Sequence, residues 1–390
     1  MKQWKWAAVA ASCAVVLAGC GGASDGANTT PKSITPSAKV FGDSIMDSGT
    51  FGYKFTIQSA DAANPFLIFP ELVAANFGAP KLCPFFNFNG TTFLPKTSCS
   101  SFAVGGGRVN NLTNTSAPGN DNPFSITYQL AVGSATLAPS DLVIVDGGGN
   151  DLADLTGAYL GATTPAGIAT YMAMLGTLLP PATVAAIIGT PTATSLATAA
   201  GAYAQAVGST LAASVKTNVV AKGVTKVVVI NAPDITATPR FLAVLSAVAA
   251  SAGTAQRDAV QGAVRAWTGA MNASLAAGLA GTGVQVYDLF GEGSKIAANP
   301  SQFSLTNVTT PACPKVAGGL DSTTGQASLS QPATVVACNS ASMSANIPVG
   351  ETSANWWKAY AYSDNFHPTP ALHQLIGQSI NLQLAKAGWL

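Results

Sequence analysis

Charge is what this chain has least of. Asp, Glu, Lys and Arg make up only 9% of its 390 residues, and 18 basic against 17 acidic side chains leave a formal net charge of +1. Nucleic acid recognition needs a concentrated basic face, so composition argues against that class. Histidine occurs only as His367 and His373, and no pair of cysteines has CxxC spacing, which leaves no ligand set for a structural zinc. The glycine runs Gly105-Gly106-Gly107 and Gly147-Gly148-Gly149 lack the G-x-G-x-x-G pattern, and no Walker Lys-Ser/Thr ending follows either. No metal or organic cofactor is implied.

What the chain does have is apolar mass: 48% hydrophobic residues, enough for a sizeable core in one large domain or two small ones. Part of that mass is N-terminal. Lys2 and Lys5 precede an apolar run over residues 6–17, shorter than the ~20 residues of a membrane span, so residues 1–19 read as a signal peptide. Leu17-Ala18-Gly19-Cys20 resembles a bacterial lipobox, which implies cleavage before Cys20, lipidation of its thiol and export as an outer-membrane lipoprotein. An ordinary secretory peptide delivering a periplasmic or secreted protein is the alternative. Residues 20–37 would then be a lipidated tether, rich in Gly, Ala, Ser, Thr and Pro. Four cysteines remain, Cys83, Cys99, Cys313 and Cys338. They allow three connectivities, and sequence proximity in an oxidising compartment favours Cys83 with Cys99 and Cys313 with Cys338 over free buried thiols.

Residues 38–390 read as one domain. An apolar entry at 38–41 breaks at Gly42-Asp43-Ser44, a short strand entering a tight turn. Three more β-branched runs, at 141–145, 226–230 and 284–289, each end in turn residues, as buried parallel strands do. Ala-rich helical patterns at 166–179, 195–220 and 254–279 separate them, which suits right-handed crossovers. The expected fold is α/β, a three-layer α/β/α arrangement on a mainly parallel sheet. Residues 299–348 have few periodic apolar positions and read as an excursion tied by the second cysteine pair. Near the end Thr369 can cap a helix with Pro370 in its first position. The aromatic and Pro-rich stretch over 51–93 serves either as packing or as the lining of an acyl pocket, and its part from Phe85 to Phe93 favours a lipid-like acyl ester.

An unaided serine is a poor nucleophile and needs a base, with a third group to orient that base. Asp364 stands three residues before His367, within reach of its second ring nitrogen. His373 has no such neighbour and sits between Leu372 and Leu375 in a helical pattern. A tetrahedral intermediate needs preset donors, which the N–H groups of Ser44 and a glycine, with the Asn150 side-chain amide, can supply.

The blocks Phe41-Gly42-Asp43-Ser44-Ile45-Met46-Asp47-Ser48-Gly49, Ser101-Phe102-Ala103-Val104-Gly105-Gly106-Gly107, Gly148-Gly149-Asn150-Asp151 and Asp364-Asn365-Phe366-His367-Pro368 occur in that order. In content and order they resemble the GDSL/SGNH lipase/esterase family. Asn231-Ala232-Pro233-Asp234 with Thr238-Pro239 resembles a stretch of its larger bacterial members, among them lipases, phospholipases and short-chain or aryl esterases. Thr50, Ser101 and Gly107 depart from the usual Asn, Asn and Ala. The resemblance implies a flavodoxin-like sheet and a Ser44, His367, Asp364 triad. It also implies an oxyanion hole from Ser44, Gly106 and Asn150, and an ester substrate with a lipid-like or short acyl group. Carbohydrate O-acetyl esterases share these blocks and are the enzymatic alternative; a binding protein on the same scaffold is the alternative of another class.

Overall fold

The computed structural model describes residues 35–111 and 119–390; the signal segment, Cys20 and the tether up to residue 34 lie outside the described residues. The strands are β1 (Ala38–Phe41), β2 (Phe86–Phe88), β3 (Phe93–Pro95), β4 (Leu142–Val145), β5 (Lys226–Ile230), β6 (Gln285–Tyr287), β7 (Asn307–Pro311) and β8 (Tyr360–Tyr362). Four of them form the central sheet in the order β1-β4-β5-β6, parallel throughout. The free edge of β1 is not bare: the Phe102 N–H donates to the Val40 carbonyl at 2.6 Å, and the Val40 N–H to the Ser100 carbonyl at 3.1 Å. The chain therefore passes from β1 to one side and returns to β4 on the other. Such a reversal leaves a crevice at the carboxyl ends of the strands, where α/β folds bind ligands.

Alternate strand residues point to opposite faces, which is why β4, and β5 after Lys226, are apolar at every position. Val143, Val145, Val227 and Val229 face the helices Ala193–Asn218 and Thr254–Leu279. Leu142, Ile144, Val228 and Ile230 face the helices Phe69–Asn76, Leu289–Ala298 and Pro370–Lys386. The result is the expected three-layer architecture. Helix limits follow local chemistry: Thr192 and Ser195 cap the start of Ala193–Asn218 reciprocally, with N–H to hydroxyl distances of 2.9 and 3.1 Å. The pattern at 166–179 yields a shorter helix, Pro165–Leu175, since Gly176 ends it and Pro181 opens another.

The stretch 299–348 packs with Phe55, Ile57, Trp356 and Trp357 into a separate core. β7 pairs in parallel with β8, and Phe55, Ile57, Leu329, Met343, Trp356 and Trp357 bury one another around the bonded pair Cys313–Cys338. The second bridge, Cys83–Cys99, closes the loop that carries the β2–β3 hairpin. Linking residues 16 and 25 positions apart restricts the unfolded chain by about 3 kcal/mol each.

Candidate active site

The Gly42-Asp43-Ser44 turn leaves β1 at the reversal point. Gly42 has φ 152°, and a Cβ there would lie 1.6 Å from Asp146 Oδ1, so only glycine fits. Gln129 clamps the turn: it accepts the Gly42 N–H at 2.8 Å and donates to the Gly42 carbonyl at 3.0 Å. Asp47 then ties the turn to the glycine loop, accepting the N–H groups of Gly49, Thr50 and Gly105 at 2.9, 2.7 and 2.8 Å. Burial outweighs these donors and pushes its carboxyl up to about 6.

The glycine loop presses against the Gly42-Asp43-Ser44 turn. A Cβ on Gly107 would stand 2.8 Å from the Gly42 carbonyl oxygen, and Gly106 takes the left-handed φ of 80°. Asn150, at the start of the helix Gly149–Gly161, sends its amide to the Gly107 carbonyl at 3.0 Å and to Asp43 Oδ2 at 3.3 Å. Asp151 holds the loop after the glycines by accepting the Val109 and Asn110 N–H groups at 3.0 and 2.8 Å. Asp43 and Asp146 are buried side by side, the Asp43 N–H donating to Asp146 Oδ1 at 3.0 Å. Burial raises both carboxyls, and the Asp43 charge raises Asp146 further.

Across the crevice, Thr369 caps the helix Pro370–Lys386 through the Leu372 N–H at 3.2 Å, and this braces the loop before it. His367 Nε2 lies 2.8 Å from Ser44 Oγ. Its Nδ1 lies 2.9 Å from both oxygens of Asp364. Since a carboxylate can only accept, Nδ1 carries the proton and Nε2 receives the serine hydroxyl. Asp364 is fully buried and also accepts the N–H groups of Leu329, Phe366 and His367 at 2.6, 2.9 and 2.7 Å. Burial alone would raise it, but the His367 charge and these donors prevail and hold it below the ordinary carboxylate value.

His373 stands apart from this chemistry. It is completely buried in the helix Pro370–Lys386, its Nδ1 accepts the Phe69 N–H at 3.3 Å, and its Nε2 has no hydrogen-bond partner among the described residues. Desolvation, helped by the charges of His367 and Lys54, pushes it down to about 3.

Ser44, Gly106, Asn150 and His367 open together into a cleft of about 260 Å³. It is lined by the rings of Phe51, Tyr53, Phe55 and Phe366 and by the polar side chains of Arg240, Ser328, Ser330 and Asn365. Phe55 packs on the His367 ring with centroids 5.0 Å apart. The aromatics at the site thus come from 51–55 and from Phe366. Phe85 and Phe86 instead enter the core against Phe102, with Phe85 stacked on it at 4.4 Å, so of the two readings of the stretch 51–93 packing holds for these rings. A more enclosed apolar cavity of about 90 Å³ lies behind the acid–base loop and reaches Asp43 and Ile45, but Ser44 does not line it.

Three contributors had no signal in the sequence. Leu329 and Ala327 come from the disulfide-tied excursion: one donates to Asp364, the other accepts the Asn365 N–H at 2.9 Å. Gln129 is the third. The only cue was the bond Cys313–Cys338, which hints that the excursion is held against something.

The family model for GDSL-like Lipase/Acylhydrolase matches residues 40–380, nearly all of the described chain. No curated protein matches it.

Proposed function

The chain belongs to the GDSL-like lipase/acylhydrolase family, a family of serine-based ester hydrolases, and on that premise we propose that it cleaves carboxylic esters through an acyl-enzyme on Ser44. The observation that carries the proposal is the continuous run from Ser44 Oγ through His367, at 2.8 Å, to Asp364, at 2.9 Å. As the serine oxygen bonds to the ester carbonyl carbon, Nε2 of His367 takes the hydroxyl proton. Asp364 holds the ring in the tautomer that permits this and stabilises the imidazolium.

The carbonyl oxygen gains negative charge in that step. The N–H groups of Ser44 and Gly106 and the Asn150 amide are its receivers. Of the two Asn150 contacts, the 3.3 Å one to Asp43 is the longer, and it is the one a substrate oxygen would replace. Collapse expels the alcohol, which takes its proton from His367 Nε2. Water then repeats the sequence on the acyl-enzyme and releases the acid. The rings of Phe51, Tyr53 and Phe55 beside Ser44 favour an apolar acyl group.

Ser44→Ala should keep the fold and its melting temperature while losing hydrolysis of p-nitrophenyl esters and covalent capture of a fluorophosphonate. Capture by the variant at the wild-type rate would overturn the assignment. The lipobox resemblance of Leu17-Ala18-Gly19-Cys20 supports a further part of this reading, in which the enzyme works at the outer membrane on acyl chains attached to Cys20.

A further inference from the structure

We propose that Arg108 is a positioning residue of the oxyanion hole: it holds the Gly106 carbonyl and so keeps the Gly105–Gly106 peptide turned with its N–H, and not its carbonyl oxygen, toward the substrate. This rests on the ester hydrolysis reading above, in which the Gly106 N–H receives the oxyanion, and it names the side chain on which that donor depends.

The surroundings of the loop demand glycine at both positions. A Cβ on Gly105 would lie 2.2 Å from Phe55 Cζ, and Gly106 stands at the left-handed φ of 80°. Two successive glycines resist a flip of the peptide between them only weakly, because no Cβ blocks the rotation of either residue. A flip here has a chemical consequence. It would exchange N–H for C=O in the lining of the cleft, which both residues share, and aim the negative end of a dipole at the charge developing on the substrate oxygen. The peptide has no restraint of its own: among the described residues neither the Gly106 N–H nor the Gly105 carbonyl has a hydrogen-bond partner. Its direction is therefore set by the groups on either side of it.

Before the peptide, the Gly105 N–H donates to Asp47 Oδ2 at 2.8 Å. After it, Arg108 Nη1 donates to the Gly106 carbonyl at 2.5 Å, and the Gly107 N–H donates to the Val104 carbonyl at 2.9 Å. Arg108 is itself fixed. Its N–H donates to the Phe124 carbonyl at 2.9 Å and its carbonyl accepts the Ile126 N–H at 2.8 Å. The guanidinium reaches from the loop to the helix Gly149–Gly161, where it pairs with Asp154 through Nε and, at 3.2 Å, through Nη2. Asp154 follows Asn150 by four residues on that helix, so the two share a face. One helix thus places the side-chain donor directly and the backbone donor through Arg108. The planar fork serves Asp154 and the Gly106 carbonyl at once, which the single ammonium of a lysine does not reproduce.

The test measures kcat and KM on p-nitrophenyl butyrate and the inhibition constant of propyl trifluoromethyl ketone for wild type, Arg108→Met, Arg108→Lys and the double variant Arg108→Met with Asp154→Leu. The double variant removes both charges, so it leaves no unpaired aspartate and serves where Arg108→Met alone does not fold. In the ketone adduct the Ser44 oxygen bonds to the carbonyl carbon, the hydroxyl proton passes to His367 Nε2 and the carbonyl oxygen becomes an oxyanion. Its affinity therefore reports on the hole without a leaving group. In Arg108→Met and the double variant kcat should fall by about tenfold to a hundredfold, at or below the roughly 10²–10³ of a donor removed outright. KM should stay within about threefold, and ketone affinity should fall by the same factor as kcat/KM, which a merely structural ion pair would not produce. Arg108→Lys should fall in between. A folded Arg108→Met or double variant with kcat within threefold of wild type, a fall in kcat with ketone affinity unchanged, a loss taken in KM instead of kcat, or full activity in Arg108→Lys overturns this inference and leaves ester hydrolysis standing. Wild-type protein that cleaves no ester and captures no fluorophosphonate overturns both.

Discussion

Asp364→Asn probes the acid–base loop where it is most constrained. The carboxylate faces His367 Nδ1 at 2.9 Å from each oxygen and accepts the Leu329 N–H on Oδ2 and the Phe366 and His367 N–H groups on Oδ1. An amide has one oxygen to offer. The better solution places it at Oδ1, where two N–H groups converge, and puts the NH2 at Oδ2 against the Leu329 N–H. Two donors then oppose each other in a site with no solvent, at a cost of about 1–3 kcal/mol in stability. The larger effect falls on His367. Nδ1 then faces an NH2 as closely as an oxygen, and where it accepts from the NH2 the ring carries its proton on Nε2, which points a hydrogen at Ser44 Oγ and cannot take the serine proton. A wrong tautomer in this arrangement lowers kcat by about 10⁴, or ~5.5 kcal/mol of barrier. The assay is kcat/KM on p-nitrophenyl butyrate with the rate of fluorophosphonate capture, alongside a thermal melt to show that the variant is folded. A folded variant within tenfold of wild-type kcat would refute the role given to Asp364.

Asn150→Ala should lose about 3 kcal/mol of transition-state stabilisation, read as a roughly hundredfold fall in kcat with little change in the melt; an unaltered kcat/KM would remove Asn150 from the oxyanion hole. For His373, the folded state holds the ring neutral down to about 3 while the unfolded chain protonates it near 6.5. Between those values the unfolded state binds the extra proton, so stability is lost as pH falls below about 6.5, and His373→Leu should flatten that part of the denaturation profile. Equal slopes in urea melts of the two proteins from pH 7 to pH 4 would contradict the buried, neutral ring. Cys20→Ser should release the protein from the membrane fraction and remove a lipid mass from its N-terminal peptide, and a wild-type protein that is already soluble and unmodified would end the lipoprotein proposal.

Much of this molecule was legible before folding. Strand β1, the apolar runs of β4 and β5, the helix Thr254–Leu279 and the Thr369–Pro370 helix start are written in periodicity and capping chemistry that act within a few residues. The pairing of Asp364 with His367 was legible for the same reason, since the two share one turn. Ser44, Gly106 and Asn150 were named from their blocks, but their meeting with His367, 323 positions from Ser44, exists only because parallel strands bring their carboxyl ends to one crevice. Other assignments had no local signature at all. Which aromatics reach the cleft depended on the Cys83–Cys99 loop packing Phe85 into the core and leaving Phe51 and Phe55 beside the site. That Leu329 holds Asp364, that Gln129 clamps Gly42 and that Arg240 stands over the cleft were decided by packing between segments 35, 87 and 125 or more residues apart. Local propensity specifies what a segment becomes; a hydrogen bond between distant segments depends on the burial of everything between them, and only the assembled core determines that.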